Sequence, residues 1–196
     1  MNYRYELINY LIEKNNYKNY LELGIGPYKE NFNNITTEVH KTGVDVIISG
    51  ENILTTTTDH FFEKNTEKFD IIFIDADHNE SAVIRDFYNS LKIIKEKGMI
   101  LLHDIGPENI ENTGINSSGT AYLAWLKIRQ ESFYTASFRF LPDFVFPKGD
   151  VLGIVIPDKQ GNPLTHIELT WDFYTQNRNS VLNELIIQDI NKLLNI

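Results

Sequence analysis

Apolar positions along this chain change their spacing repeatedly, from the three-to-four-residue period of a helix to short continuous runs and back. Leu7, Ile8, Leu11 and Ile12 stand at helical spacing and predict an amphipathic helix over residues 3–14. Residues 20–23 read as a short strand running into the loop Gly24-Ile25-Gly26-Pro27, with a short helix expected over 30–38 and a second strand over 42–48. The clearest strand is 69–75, where Ile71, Ile72, Phe73 and Ile74 are continuously apolar, as in a strand buried on both faces. Val83, Ile84, Phe87, Leu91 and Ile94 share one side of a helix expected over 81–95. Gly98 punctuates it, and 99–102 form another buried strand ending at His103-Asp104. Residues 106–118 are polar and loop-like, 122–129 helical, 151–156 a late strand, and 171–194 a closing stretch with helical spacing.

This alternation predicts an α/β fold: one domain over 1–196, a three-layer, doubly wound, mostly parallel sheet with helices on both faces. Sites are then expected at the carboxyl ends of the strands. An apolar content of 42% is enough for a real core. The lack of cysteine excludes a disulfide scaffold, a thiolate zinc site and a cysteine nucleophile. No apolar run reaches the roughly 18 residues of a membrane span, and the first residues lack the pattern of a signal peptide, so a cytoplasmic chain is expected. A net charge of −9 argues against a nucleic-acid partner and allows neutral or cationic small molecules.

The polar residues with chemical potential fall at the strand ends. Glu22-Leu23-Gly24-Ile25-Gly26 closes the first strand with glycines that let the backbone turn and a ligand approach. Asp45, 21 residues after Gly24, stands where a carboxylate accepts hydrogen bonds from ribose hydroxyls. Thr58 opens a short helix as its N-cap, and Asp59 either caps as well or reaches the exocyclic amine of an adenine. Asp75-Ala76-Asp77-His78 and His103-Asp104 put carboxylates and imidazoles at neighbouring strand tips, ready to ligate a hard cation or to supply a general base. Asp77 also suits the cap of the helix near Ser81, while His40, His60 and His166 read as surface residues.

These motifs resemble the class I S-adenosylmethionine-dependent methyltransferases. The residues that carry the resemblance are Tyr20-Leu-Glu22-Leu-Gly24-Ile-Gly26, Phe69 through His78 and Gly98-Met-Ile-Leu-Leu-His103-Asp104. Further similarity lies in Asn31-Phe32-Asn33, Arg85-Asp86, Gly119-Thr120, Trp171-x-Phe173 and Asn177-Arg178, which point to the small branch associated with polysaccharide and natural-product biosynthesis. The resemblance implies a Rossmann-like sheet whose last strand is antiparallel, and S-adenosylmethionine as cofactor. It implies methylation, chiefly at oxygen, of a small-molecule or glycan acceptor. Glu22, Gly24 and Gly26 would line the methionine and ribose part of the cofactor, Asp45 would hold the ribose hydroxyls, and Asp59 would lie by the adenine. Asp75 would sit by the methyl group, with His103 or His78 as the base.

Two departures accompany it. Tyr28 replaces the usual third glycine, and His103-Asp104 offers one carboxylate where metal-dependent relatives place an Asp or Asn pair. No metal is therefore expected; were one present, Asp75 and Asp104 would hold it. The residues leave two alternatives. A nicotinamide-dependent oxidoreductase fits Gly24, Gly26 and Asp45 but needs its third glycine at Lys29, and a non-catalytic binding protein would keep the same fold.

Overall fold

The computed structural model describes residues 2–114, 117–140, 150–186 and 189–190. In chain order it contains α1 (Arg4–Asn15), β1 (Asn19–Leu23), α2 (Glu30–Asn34), β2 (His40–Asp45), β3 (Ile53–Thr55), α3 (Thr58–Lys64), β4 (Phe69–Ile74) and α4 (Glu80–Ile93). There follow β5 (Ile94–Leu102), a single 3-10 turn (Ile110–Thr113), α5 (Ala121–Ile128), β6 (Phe133–Arg139), β7 (Val151–Gln160), α6 (Trp171–Gln176), α7 (Arg178–Leu182) and β8 (Glu184–Leu185). The strands form one sheet in the order β3-β2-β1-β4-β5-β7-β6-β8. Only β7 runs against its neighbours β5 and β6; β8, a two-residue edge strand, is parallel to β6. The expected α/β fold with one antiparallel strand is present.

Successive side chains of a strand point to opposite faces, and the three central strands use this to build two cores. Leu21, Leu23, Ile72, Ile74, Ile100 and Leu102 pack with Phe61, Phe87, Trp125 and Tyr174 from the helices on one side. Tyr20, Ile71, Phe73, Met99 and Leu101 pack on the other side with Leu7, Ile8 and Leu11 of α1 and Phe32. Both faces are thereby covered, as a parallel sheet requires. No helix among the described residues is long and apolar enough to cross a membrane.

Several expected boundaries are corrected. The first short helix stops at Asn34, because Ile35 leaves the helical region. The second strand spans His40–Asp45 and not 42–48; the Asp45 carboxylate turns the chain by accepting from the backbone N–H groups of Ile47 and Ile48. Gly98 lies inside β5, not at a break before it, and a Cβ there would meet the Asp70 carbonyl at 2.8 Å. The caps sit one or two residues from their expected places: Thr57 accepts from His60 N at the start of α3, and Asn79 accepts from Ser81 N at the start of α4. The closing helix is interrupted at Asn177 and ends at Asn183, whose left-handed φ of 50° turns the chain into β8. Residues 187–188 and 191–196 of that expectation lie outside the described residues.

Candidate active site

The cavity at the carboxyl ends of β1, β2, β4 and β5 has a volume of about 710 Å³. Glu22, Gly24, Gly26, Asp45, Asp75, His78, His103 and Asp104 all line it. Asp59 does not: it stands exposed on α3, with its Oδ1 2.7 Å from Nε of Arg85. His40 and His60 lie on the surface opposite Glu67 and Glu63.

One wall is the glycine turn. Gly24 has φ of +84°, and a Cβ there would lie 2.1 Å from the Asp75 carbonyl oxygen, so only glycine lets the tips of β1 and β4 meet. Gly26, at φ +67°, is different: nothing lies within 4 Å of its Cβ position. Asp45 braces the turn, its Oδ2 accepting from Ile25 N at 2.9 Å and Gly26 N at 3.3 Å. Burial acts to raise the Asp45 carboxyl, but four backbone N–H groups outweigh it and hold it below the usual range. Ribose hydroxyls would have to share acceptor sites that the loop already uses.

Beneath the turn lies a buried trio. Tyr20 donates its hydroxyl to Oε2 of Glu22 at 2.5 Å, and Asn31 Nδ2 donates to the same oxygen and to the Tyr20 hydroxyl, both at 2.9 Å. Burial pushes the Glu22 carboxyl up to about 8, against the lowering effect of these two donors.

The other wall is the strand-tip cluster. Ligand atoms of Asp75, His78, His103 and Asp104 all lie within 4.8 Å of one another. Nδ1 of His103 is 2.9 Å from Oδ1 of Asp75 and 3.2 Å from Oδ2 of Asp104, and its Nε2 is 3.0 Å from Oδ2 of Asp150. Arg4 from α1 completes this side, with Nη1 beside His103 Nε2 and 3.6 Å from Asp150. Burial opposes the charge on His103, yet the three carboxylates raise its pKa well above the ordinary value. His78, about one-third exposed, is raised to about 9, chiefly by Asp75 at 3.4 Å. Asp75 and Asp104 are lowered despite burial, because the imidazoles favour their ionised forms. Asp104 adopts a left-handed φ of 58°, an uncommon backbone for a residue with a side chain, and Ser118 donates to its carboxylate at 3.1 Å.

Sequence reasoning missed Arg4, Asn31, Ser118 and Asp150. Arg4 is an ordinary residue of a helix's first turn and Asp150 follows a Pro-Lys-Gly run, so neither carries a local signal. Asn31 had one: it is a polar residue directly after the glycine turn, next to the apolar Phe32.

A divalent cation is compatible with this donor set. Asp75 and Asp104 would hold it, with His78 alongside. The cavity also suits a nucleoside-bearing sulfonium: Gly26 leaves an open cradle, and Asn31 Oδ1, buried and without a hydrogen-bond partner among the described residues, waits for a donor.

Solved structures share this fold at low sequence identity. The O-methyltransferase from Bacillus cereus, in complex with SAH, aligns with a TM-score of 0.56 at 17% identity over 78% of this chain and 80% of that one. The O-methyltransferase TomG from Streptomyces achromogenes, involved in tomaymycin synthesis and in complex with SAM, aligns with a TM-score of 0.53 at 12% identity over 80% of each chain. No curated protein matches by sequence. Residues 8–105, which carry the glycine turn and both strand-tip motifs, match the family described as Methyltransferase domain, and the chain belongs to that family.

Proposed function

We propose that this chain transfers the methyl group of S-adenosylmethionine to a hydroxyl oxygen of a small molecule or glycan precursor. The observation that carries this reading is the union of two walls in one cavity: the glycine turn with Glu22 and Asp45 on one side, and the Asp75, His78, His103 and Asp104 cluster on the other. A sulfonium methyl is already activated, so the protein's work is to align the acceptor and remove its proton. Membership of the methyltransferase-domain family disfavours the nicotinamide-dependent alternative, and the residue at its third glycine position is Lys29.

The two histidines divide the labour. His103 is buried among the Asp75, Asp104 and Asp150 carboxylates, whereas His78 is about one-third exposed, so His103 is a positioning residue that orients Asp75 and Asp104. His78 faces the cavity and is the base, with Asp75 beside its Nε2 and the Ser117 carbonyl 2.6 Å from its Nδ1. A cationic cofactor in the same cavity lowers the proton affinity of His78 and frees it to accept. A bound divalent cation would supply positive charge that acidifies the acceptor hydroxyl. The cluster is balanced without one: Asp75, Asp104 and Asp150 face Arg4, His78 and His103.

The test is direct. Purified protein should bind S-adenosylhomocysteine in calorimetry and pass radiolabel from S-adenosylmethionine to members of a panel of hydroxylated acceptors. Absence of cofactor binding would overturn the reading. Binding without transfer to any acceptor would favour a non-catalytic role.

A further inference from the structure

Tyr28 departs from the glycine usual at its position, and the structure gives the departure a use. The residue lines the cavity and yet is 89% exposed, more than any other large hydrophobic side chain among the described residues. Its backbone is held on both sides. Lys29 N donates to the Gly26 carbonyl at 3.2 Å, closing a four-residue turn with Pro27 second and Tyr28 third. Gly26 N donates to Asp45 at one end, and at the other Lys29 Nζ donates to the Ser49 carbonyl at 2.6 Å, fastening the turn to the chain that follows β2. The side chain is the opposite case. Its hydroxyl makes no hydrogen bond and its ring meets no other ring or cation among the described residues.

With the backbone fixed, rotation of the side chain alone moves the ring, far faster than a loop opens. Next to it is the cradle at Gly26, where no atom lies within 4 Å of the Cβ position. The ring belongs to the wall made by the glycine turn, and the charged strand-tip cluster forms the other wall. An uncharged aromatic face gains most from a flat, largely apolar partner. Of the parts of the cofactor, that is the nucleoside with its purine.

We propose that Tyr28 is a specificity-determining residue for the cofactor, its ring closing over the nucleoside at the Gly26 cradle and slowing its release. This rests on the cofactor reading above. A glycine at the same place has no side chain to cover the ligand, so the closure belongs to this chain's own residue. Stacking on a base adds attraction once the ligand is seated, and the effect falls on dissociation more than on association. The contact is made by the ring face, so a phenylalanine serves as well.

The experiment is titration calorimetry, with dissociation rates from surface plasmon resonance, on the wild type, Tyr28→Ala and Tyr28→Phe. The ligands are S-adenosylhomocysteine and 5′-methylthioadenosine, which shares the nucleoside and lacks the amino-acid end. Because the side chain is so exposed, Tyr28→Ala should fold and melt with the wild type. It should weaken both ligands by a similar factor, at least about fivefold and mostly through faster dissociation, while Tyr28→Phe stays within about twofold. Unchanged affinities in Tyr28→Ala would overturn the proposal and leave the cofactor reading intact. So would a loss confined to S-adenosylhomocysteine, which puts the ring at the amino-acid end, or an equal loss in Tyr28→Phe, which assigns the contact to the hydroxyl. A wild type that binds S-adenosylhomocysteine but not methylthioadenosine would overturn it as well. If neither ligand binds the wild type, the cofactor reading falls and takes this inference with it.

Discussion

Asp150 places its Oδ2 3.0 Å from Nε2 of His103, and both groups are buried. The pair ties the start of β7 to the tip of β5, and Arg4 shares the same carboxylate oxygen. Removing the carboxylate leaves the buried His103 and the partly buried Arg4 facing each other without the oxygen they share. Asp150→Ala is therefore expected to destabilise the fold by about 3 kcal/mol, as for other broken buried pairs. Urea unfolding measures this, and a loss below about 1 kcal/mol would show that Arg4 and His103 do not depend on Asp150.

His78→Ala should lower turnover by roughly 10²- to 10⁴-fold, the usual contribution of a general base. Affinity for S-adenosylhomocysteine should stay within about threefold. Parallel losses in turnover and affinity would make His78 part of the cofactor site instead.

Treatment with a chelator should leave most of the activity in place, because the cluster balances three carboxylates with three cationic side chains. Full loss, restored by magnesium or manganese, would promote Asp75 and Asp104 to metal ligands.

The two turn glycines should fail in different ways. Gly24→Ala drives a Cβ into the Asp75 carbonyl at 2.1 Å, so the protein should lose stability before any question of binding arises. Gly26→Val meets no neighbouring atom but strains a φ of +67°, so it should fold at reduced stability, with native far-UV circular dichroism, while its side chain fills the cradle and reduces cofactor affinity at least a hundredfold. A folded, tight-binding Gly26→Val protein would move the cofactor elsewhere.

What the sequence made legible follows from the range of the interaction involved. The run Ile71–Ile74 and the period of Leu7, Ile8, Leu11 and Ile12 announce a buried strand and a helix face because burial of neighbours along the chain is a local pattern. β3 and β8, of three and two residues, are too short to have a period, and β6 mixes Thr135, Ser137 and Arg139 among its aromatics. The strand-tip residues were readable since strands end at the site by rule. Arg4 and Asp150 were not, because their partners are 99 and 47 residues away and only the folded sheet brings them together. Asp45 was assigned to the ligand, and the structure finds it also bracing the loop that would hold the ligand.

Away from the cavity, Asp86 predicts a pH effect. It is 1% exposed on α4, its Oδ1 has no partner among the described residues, and burial raises its carboxyl to about 6 against the hydrogen bond from Thr58. The folded state thus holds the proton more tightly than the unfolded chain, so this group's contribution is greatest below about pH 4 and is lost as pH rises through about 6. Asp86→Asn removes the buried charge. It should stabilise the protein above pH 6 by up to about 3 kcal/mol, with the gain vanishing near pH 4. Thermal melts of both proteins across that range check it, and a pH-independent difference would exclude Asp86 as its source.

The contact between Arg4 and Asp150 also sets a clock for biosynthesis. Residue 4 leaves the ribosome long before residue 150, and at about 5–20 residues per second the interval is roughly 7–30 s. During it α1 can already pack, but its arginine has no Asp150 to meet, and His103 has only two of its three carboxylates. The nascent chain therefore carries an excess of positive charge at its strand-tip cluster until β7 enters the sheet between β5 and β6. Assembly of the strand-tip cluster is coupled to the last large strand insertion, and a chain stalled before it has the scaffold without the completed cluster.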